Sequence, residues 1–201
     1  MRTITQREAV VRAELLAGSR AGRPFVLGIV GAPGAGKSTI TESLGHPVLP
    51  MDGYHLANDE LDRLGLRDRK GAPETFDVSG FVAALARIRA AEDVDAPLFD
   101  RSIDASIADA LHLPATAPLI VTEGNYLLHD ASGWEKVRPL LDEVWFLDID
   151  DDIRRDRLII RQQRYGRSVE EAAAWTASVD DPNAALVQAT RHRADLLVSR
   201  D

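Results

Sequence analysis

Apolar residues cluster in five short runs, at 25–30, 48–51, 119–122, 144–149 and 196–199. Each is too short for a buried helix and lacks the alternation of a half-solvated strand, so each reads as a strand buried on both faces. Between them the spacing becomes helical, over 37–44, 78–91 and 153–165. A helix is also expected at the start, where Ala9, Val10, Ala13, Leu15 and Leu16 recur at near-helical intervals before Gly18. Strands alternating with helices imply right-handed crossovers and a parallel sheet covered on both faces, an α/β fold. Ligands in such sheets bind at the carboxyl ends of the strands, so chemistry is expected just after each apolar run.

After the first run comes Gly31-Ala32-Pro33-Gly34-Ala35-Gly36-Lys37-Ser38, which fits G-x-x-x-x-G-K-[ST] and is followed by Thr39. Strand before and helix after make it a phosphate cradle: glycines allow the tight turn, backbone N–H groups point inward, and the next helix aims its N-terminus at the same anion. Lys37 would reach the β- and γ-phosphates of a nucleoside triphosphate, and the Ser38 hydroxyl a Mg²⁺ ion.

After the second run comes Met51-Asp52-Gly53-Tyr54-His55. Asp before Gly is common in turns, and Asp52 alone reads equally as a helix cap. Beside a phosphate loop it is preferred as the general base that orients an attacking hydroxyl and takes its proton. After the third run, Glu123-Gly124-Asn125-Tyr126 puts an acid at the strand end, able to reach Mg²⁺ through a water or to hold a nearby cation. After the fourth, Arg154, Arg157, Arg161 and Arg164 share one helical face. Arg154 and Arg157 are expected on a solvated face balanced by Asp151, Asp152 and Asp156. Arg161, Arg164 and Arg167 suit a lid, over 153–180, that closes on the triphosphate. Gly166 ends the first lid helix, and Ser168 with Glu171 forms a capping box for the next.

The stretch 57–118 exceeds a simple crossover and is expected to supply acceptor specificity. It carries Arg67, Arg69, Lys70, Phe76, Asp77, Phe99, Asp100 and Asp104. Asp77 reads evenly as a helix cap or an acceptor-side residue, and Phe76 and Phe99 as pocket walls or loop anchors.

At 201 residues, a single α/β domain spanning 1–201 is expected. The net charge of −8 argues against broad binding to nucleic acid or anionic membranes. The absence of cysteine excludes thiolate metal sites and thiol nucleophiles. No signal-peptide core or bilayer-length apolar run is visible, so a cytoplasmic protein is expected. The sequence leaves open whether it forms a homodimer.

Taken together, residues 31–39, Met51 to His55, Ala72-Pro-Glu-Thr-Phe-Asp77, Pro97-Leu-Phe-Asp100, Val121-Thr-Glu123-Gly124, Asp181-Pro-Asn-Ala and Thr190 to Asp195 resemble the phosphoribulokinase, uridine kinase and bacterial pantothenate kinase superfamily. The likeness is greatest to a branch whose members carry the names nucleoside or nucleotide kinase and fructose transport system kinase. It implies a P-loop kinase with a five-stranded parallel sheet in the order 2-3-1-4-5, a helical lid, and ATP with Mg²⁺. It also implies Asp52 as catalytic aspartate, with Lys37, Arg161 and Arg164 assisting. The nucleotide would be held by Gly31, Ala32, Gly34, Ala35, Gly36, Lys37, Ser38, Thr39, Arg161, Arg167 and Arg193, with the segment around Arg193 toward the adenine. Acceptor-side candidates are Asp52, Tyr54, His55, Arg69, Lys70, Asp77, Asp100, Glu123 and Asn125; metal candidates are Ser38 and Glu123. The run after Asp100 lacks the histidine that uridine kinases place downstream, which argues against uridine as acceptor.

The expected reaction is transfer of the γ-phosphoryl group to a hydroxyl of a sugar, nucleoside or pantothenate-like alcohol. The competing reading is an ATP-binding regulator of a transport or metabolic complex. A GTPase is disfavoured, since Asp130-Ala-Ser-Gly133 is a lone D-x-x-G and no N-K-x-D follows.

Overall fold

The computed structural model describes residues 1–19 and 22–199. In chain order its elements are β1 (Arg2–Thr5), α1 (Gln6–Ala17), β2 (Phe25–Val30), α2 (Lys37–Leu44), β3 (Val48–Pro50), α3 (Asn58–Leu64), α4 (Val78–Arg89), β4 (Val94–Asp100), β5 (Ala105–Leu113), β6 (Leu119–Gly124), β7 (Glu143–Asp148), α5 (Asp151–Arg164), α6 (Val169–Trp175), α7 (Asp181–Ala189) and β8 (Leu196–Ser199).

Six strands form one sheet in the order β1-β8-β7-β2-β6-β3, with every pair parallel. The five strands read from the apolar runs stand in the expected order, and β1 adds a sixth at the edge beside β8. Only Ile4 of β1 is buried, so four residues carry too little apolar pattern to announce a strand. A second departure is the antiparallel hairpin β4–β5 inside the 57–118 stretch.

The period of two along β2 divides the interior. Val26 and Val30 face a core built with α4, the hairpin base and Trp134, whereas Phe25, Leu27 and Ile29 face α1 and α2 on the other side. Helix ends follow local chemistry. Thr5 and Glu8 form a capping box at α1, Ser168 and Glu171 form another at α6, and Asp150 caps α5. Between α6 and α7, residues Thr176–Asp180 run as one π-helical turn, which sets the lid off from the helix that returns to the sheet. Among the described residues no helix is long and apolar enough to cross a membrane.

Candidate active site

β2 ends in the phosphate loop. Gly34 and Gly36 adopt φ of +83° and +94°, which L side chains rarely take, and Gly36 opens α2. A Cβ on Gly34 would also lie 2.9 Å from the Arg154 carbonyl oxygen. The loop therefore rests on α5. Arg154 is fully buried and pairs with Asp151 and with Asp181 at the start of α7, while Arg157 Nη1 lies 3.5 Å from the Gly34 oxygen. This corrects the expectation of a solvated face. Asp151 balances Arg154 as expected, but its second partner, Asp181, lies 27 residues away, and the side chain is buried.

Lys37 Nζ donates to the Gly31 oxygen (2.9 Å) and to Asn125 Oδ1 (2.6 Å). Asn125 thus stands beside the loop lysine at the end of β6. Burial pushes the Lys37 pKa down; Glu123 and Asp52 oppose that, and Arg161 and Arg101 add to it.

The chain leaves edge strand β3 in a 3₁₀ turn, Met51–Tyr54, that carries Asp52. Gly53 allows this turn to touch the hairpin: a Cβ there would lie 2.1 Å from the Pro97 oxygen. Arg101, at the hairpin tip, donates through Nη2 to Asp52 Oδ2 at 2.6 Å. Burial pushes the Asp52 pKa up, but His55, Arg101, Lys37 and Arg161 together outweigh it and hold the carboxyl below its usual range. Glu123 goes the other way. Burial pushes it up to about 7, Lys37 restrains the rise, and Asp52 adds to it. Two neighbouring carboxyls are thereby driven apart, Asp52 ionised and Glu123 poised near neutrality.

His55 packs between Phe76 and Phe99, with ring centroids 4.1 and 4.7 Å away, so both phenylalanines hold the turn that follows β3. Its Nδ1 lies 2.8 Å from the Asp52 carbonyl oxygen, which requires a proton on Nδ1 and leaves Nε2 as an acceptor in the neutral ring. Burial lowers the His55 pKa, against the opposing charge of Asp52. Tyr54 turns into the core edge-on to Phe81, and burial raises its phenol to about 12.

Around the hairpin tip, Lys70 Nζ reaches Asn58 Oδ1 (2.7 Å) and the Asp104 oxygens, and Asn58 donates to Asp104. Asp100 folds the tip by accepting from the Ser102 backbone and hydroxyl. Asp77 is the N-cap of α4, accepting from Gly80 N, and Arg69 pairs with Glu74 on the exposed side. In the lid, Arg161 is partly buried, and burial together with the charge of Arg101 lowers its pKa against the pull of Asp180 and Asp52. Arg164 is exposed, and Arg167 stacks its guanidinium 4.0 Å from the Trp175 ring. Arg193 donates to the Leu128 oxygen, beside Asp130.

A cleft of about 350 Å³ is lined by the polar Ser38, Glu42, His46, Asp52, Arg101 and Glu123 and by the apolar Val48, Pro50, Leu98, Phe99 and Leu111; Lys37, His55 and Arg161 do not line it. Arg101 and Arg157 are functional candidates that the sequence reading missed. The only local signal for Arg101 was a cation following Asp100 in a stretch already read as acceptor-facing.

Among the described residues no group of three or more His or acidic side chains stands ready as a metal cage, and Mg²⁺ in phosphoryl-transfer sites takes few protein ligands beside phosphates and water. Ser38 and Glu123, which line the same cleft, are of that kind.

The Phosphoribulokinase / Uridine kinase family model matches residues 26–201. The uncharacterised protein YggC of Escherichia coli (strain K12) is 37% identical over 187 residues, covering 88% of this chain and 78% of YggC. The uridine kinase of Lactobacillus johnsonii is 30% identical over 190 residues, covering 88% and 86%. A Silicibacter sp. TM1040 crystal structure, provisionally described as a fructose transport system kinase, is 36% identical with a TM-score of 0.88, covering 96% of this chain and 98% of that one. The chain belongs to the phosphoribulokinase/uridine kinase family and is a small-molecule phosphotransferase with the P-loop kinase fold.

Proposed function

We propose that this kinase transfers the γ-phosphoryl group of ATP to a hydroxyl of a small polar metabolite, with Asp52 as general base. The observation that carries the reading is the placement of an ionised Asp52 in one cleft with the loop residue Ser38 and the poised Glu123, next to Lys37. Asp52 orients the acceptor hydroxyl and takes its proton as the oxygen bonds to the γ-phosphorus. The bond to the β-phosphate oxygen breaks, and ADP and a phosphomonoester leave. The loop amides and Lys37 hold the triphosphate, Lys37 exchanging its contacts with Gly31 and Asn125 for phosphate oxygens. Arg161, already near Asp52, stabilises charge on the transferring group. Mg²⁺, held by Ser38 and Glu123, would supply further neutralisation of the phosphate oxygens.

Asp52→Asn is expected to lower kcat by about 10²-fold or more with Mg·ATP affinity retained, the scale of general-base removal. ADP release and ATP binding measured on the same preparation check this; a kcat within a few-fold of the parent rules Asp52 out as the base. The ion pair between Arg101 and Asp52 favours a second reading, an ATP-binding regulator whose base stays covered. ATP binding without ADP release across a broad acceptor panel would select it.

A further inference from the structure

We propose that Arg101 selects the acceptor, and that the acceptor is a small hydroxylated metabolite carrying its own oxyanion, a carboxylate or a phosphate. This rests on the kinase reading above and narrows it.

Arg101 is a built part of the cleft. The turn holding Asp52 is in backbone contact with β4 through Gly53 and Pro97, Asp100 folds the tip around Ser102, and Lys70 with Asn58 ties Asp104 down on its far side. Two segments distant in sequence are thus fixed so that a guanidinium meets the carboxylate 2.6 Å away. That contact takes Oδ2, so an acceptor hydroxyl reaches the carboxylate through Oδ1, beside the guanidinium. An acceptor bound at Asp52 therefore lies within reach of Arg101.

The chemistry of that guanidinium points to the acceptor. Among the cations around Asp52, Lys37 and Arg161 come from the phosphate loop and the lid, and the triphosphate claims both. Arg101 comes from the insertion on the other side, and nearly half its side chain is open to solvent (47%). It also lies near enough to Arg161 for their charges to repel. A neutral alcohol at Asp52 would leave the remaining guanidinium donors of Arg101 to water, with Arg101 still facing Arg161. An acceptor with its own oxyanion supplies a second anion, which the planar guanidinium can bind through N–H donors that Asp52 does not use while the hydroxyl sits on Asp52 Oδ1. The apolar wall of Leu98, Phe99 and Leu111 then covers the carbon skeleton, and about 350 Å³ limits it to a small metabolite.

The test uses matched pairs differing in the oxyanion: pantothenol and pantothenate, glycerol and glycerate, ribose and ribose 5-phosphate, fructose and fructose 6-phosphate. Each is assayed for binding with Mg²⁺ and a non-hydrolysable ATP analogue, and for ADP release with Mg·ATP, using the parent, Arg101→Gln and Arg101→Lys. The expected result is at least one pair whose anionic member is favoured in kcat/KM. Arg101→Gln should collapse that preference by roughly 10- to 100-fold, the loss expected for a charge-assisted hydrogen bond, mainly through KM for the acceptor. Arg101→Lys should restore part of it. The carboxylate and phosphate pairs say which oxyanion is read.

A neutral member that equals or beats its anionic partner, a preference that survives Arg101→Gln, or failure of every anionic member to bind overturns the proposal. So does an Arg101→Gln variant whose main defect is a raised KM for ATP, which would place Arg101 on the triphosphate. Arg101-dependent binding of an anionic member without ADP release supports this assignment and contradicts the kinase reading.

Discussion

At the scale of single residues, the site turns on two carboxyls given opposite characters by their surroundings. Asp52 is held ionised by cations from the phosphate loop, the hairpin tip and the lid, whereas Glu123, on β6 beside the sheet core, is raised to about 7. The second shift has a sign that stability can report. The folded Glu123 binds its proton more tightly than the unfolded chain, whose value is near 4.5. In the nucleotide-free protein its contribution therefore falls as pH rises from about 4.5 to about 7, and stays low above that. Glu123→Gln imitates the protonated form. The melting temperature of the variant relative to the parent is expected to be near zero at about pH 5 and positive, by about a few degrees, at about pH 8. Thermal denaturation across that range decides it, and a flat difference would mean that Lys37 holds Glu123 ionised throughout.

At the scale of elements, legibility followed pattern. The five buried strands announce themselves because both faces of each are covered, and the phosphate loop does so because its chemistry lies in eight consecutive residues. The β4–β5 hairpin does not, since most of β5 is exposed and β4 contains Pro97. Arg154 was misread for a related reason: its burial depends on Asp181, which only the tertiary fold brings near. Arg101 depends likewise on a turn 49 residues before it. The contact between that turn and the hairpin can be tested at Gly53. A methyl group there meets the Pro97 carbonyl, which is backbone and has no rotamer to yield, so the turn and β4 must separate. Gly53→Ala is expected to cost about 1–3 kcal/mol in denaturant unfolding, the range for overpacking, and to lower kcat because Asp52 moves with the turn. Parent-like stability and turnover would show that the two segments are not rigidly joined.

At the scale of the whole molecule, the strand order separates what stabilises the sheet from what positions the chemistry. β3, which delivers Asp52, is one edge of the sheet and β1 is the other. Five strand spacings lie between them, roughly 24 Å at about 4.8 Å each. Ile4 on β1 and Leu49 on β3 are both buried, but in the two different cores on opposite faces. Truncating either to alanine removes comparable apolar volume and is expected to cost about 2–4 kcal/mol. The consequences for activity should differ. Ile4→Ala loosens an edge whose neighbour β8 ends without a residue in the cleft, so kcat measured well below the melting temperature is expected to stay within about twofold of the parent, as for independent distant sites. Leu49 lies three residues before Asp52 and packs in the same core as Met51, Phe76 and Tyr54, around the turn that holds Asp52. Leu49→Ala should therefore lower kcat at a temperature where the variant is still folded, by about tenfold if the carboxylate is displaced by a fraction of an ångström. Equal losses of kcat in the two variants, matched for residual stability, would mean that the sheet transmits disorder as one body.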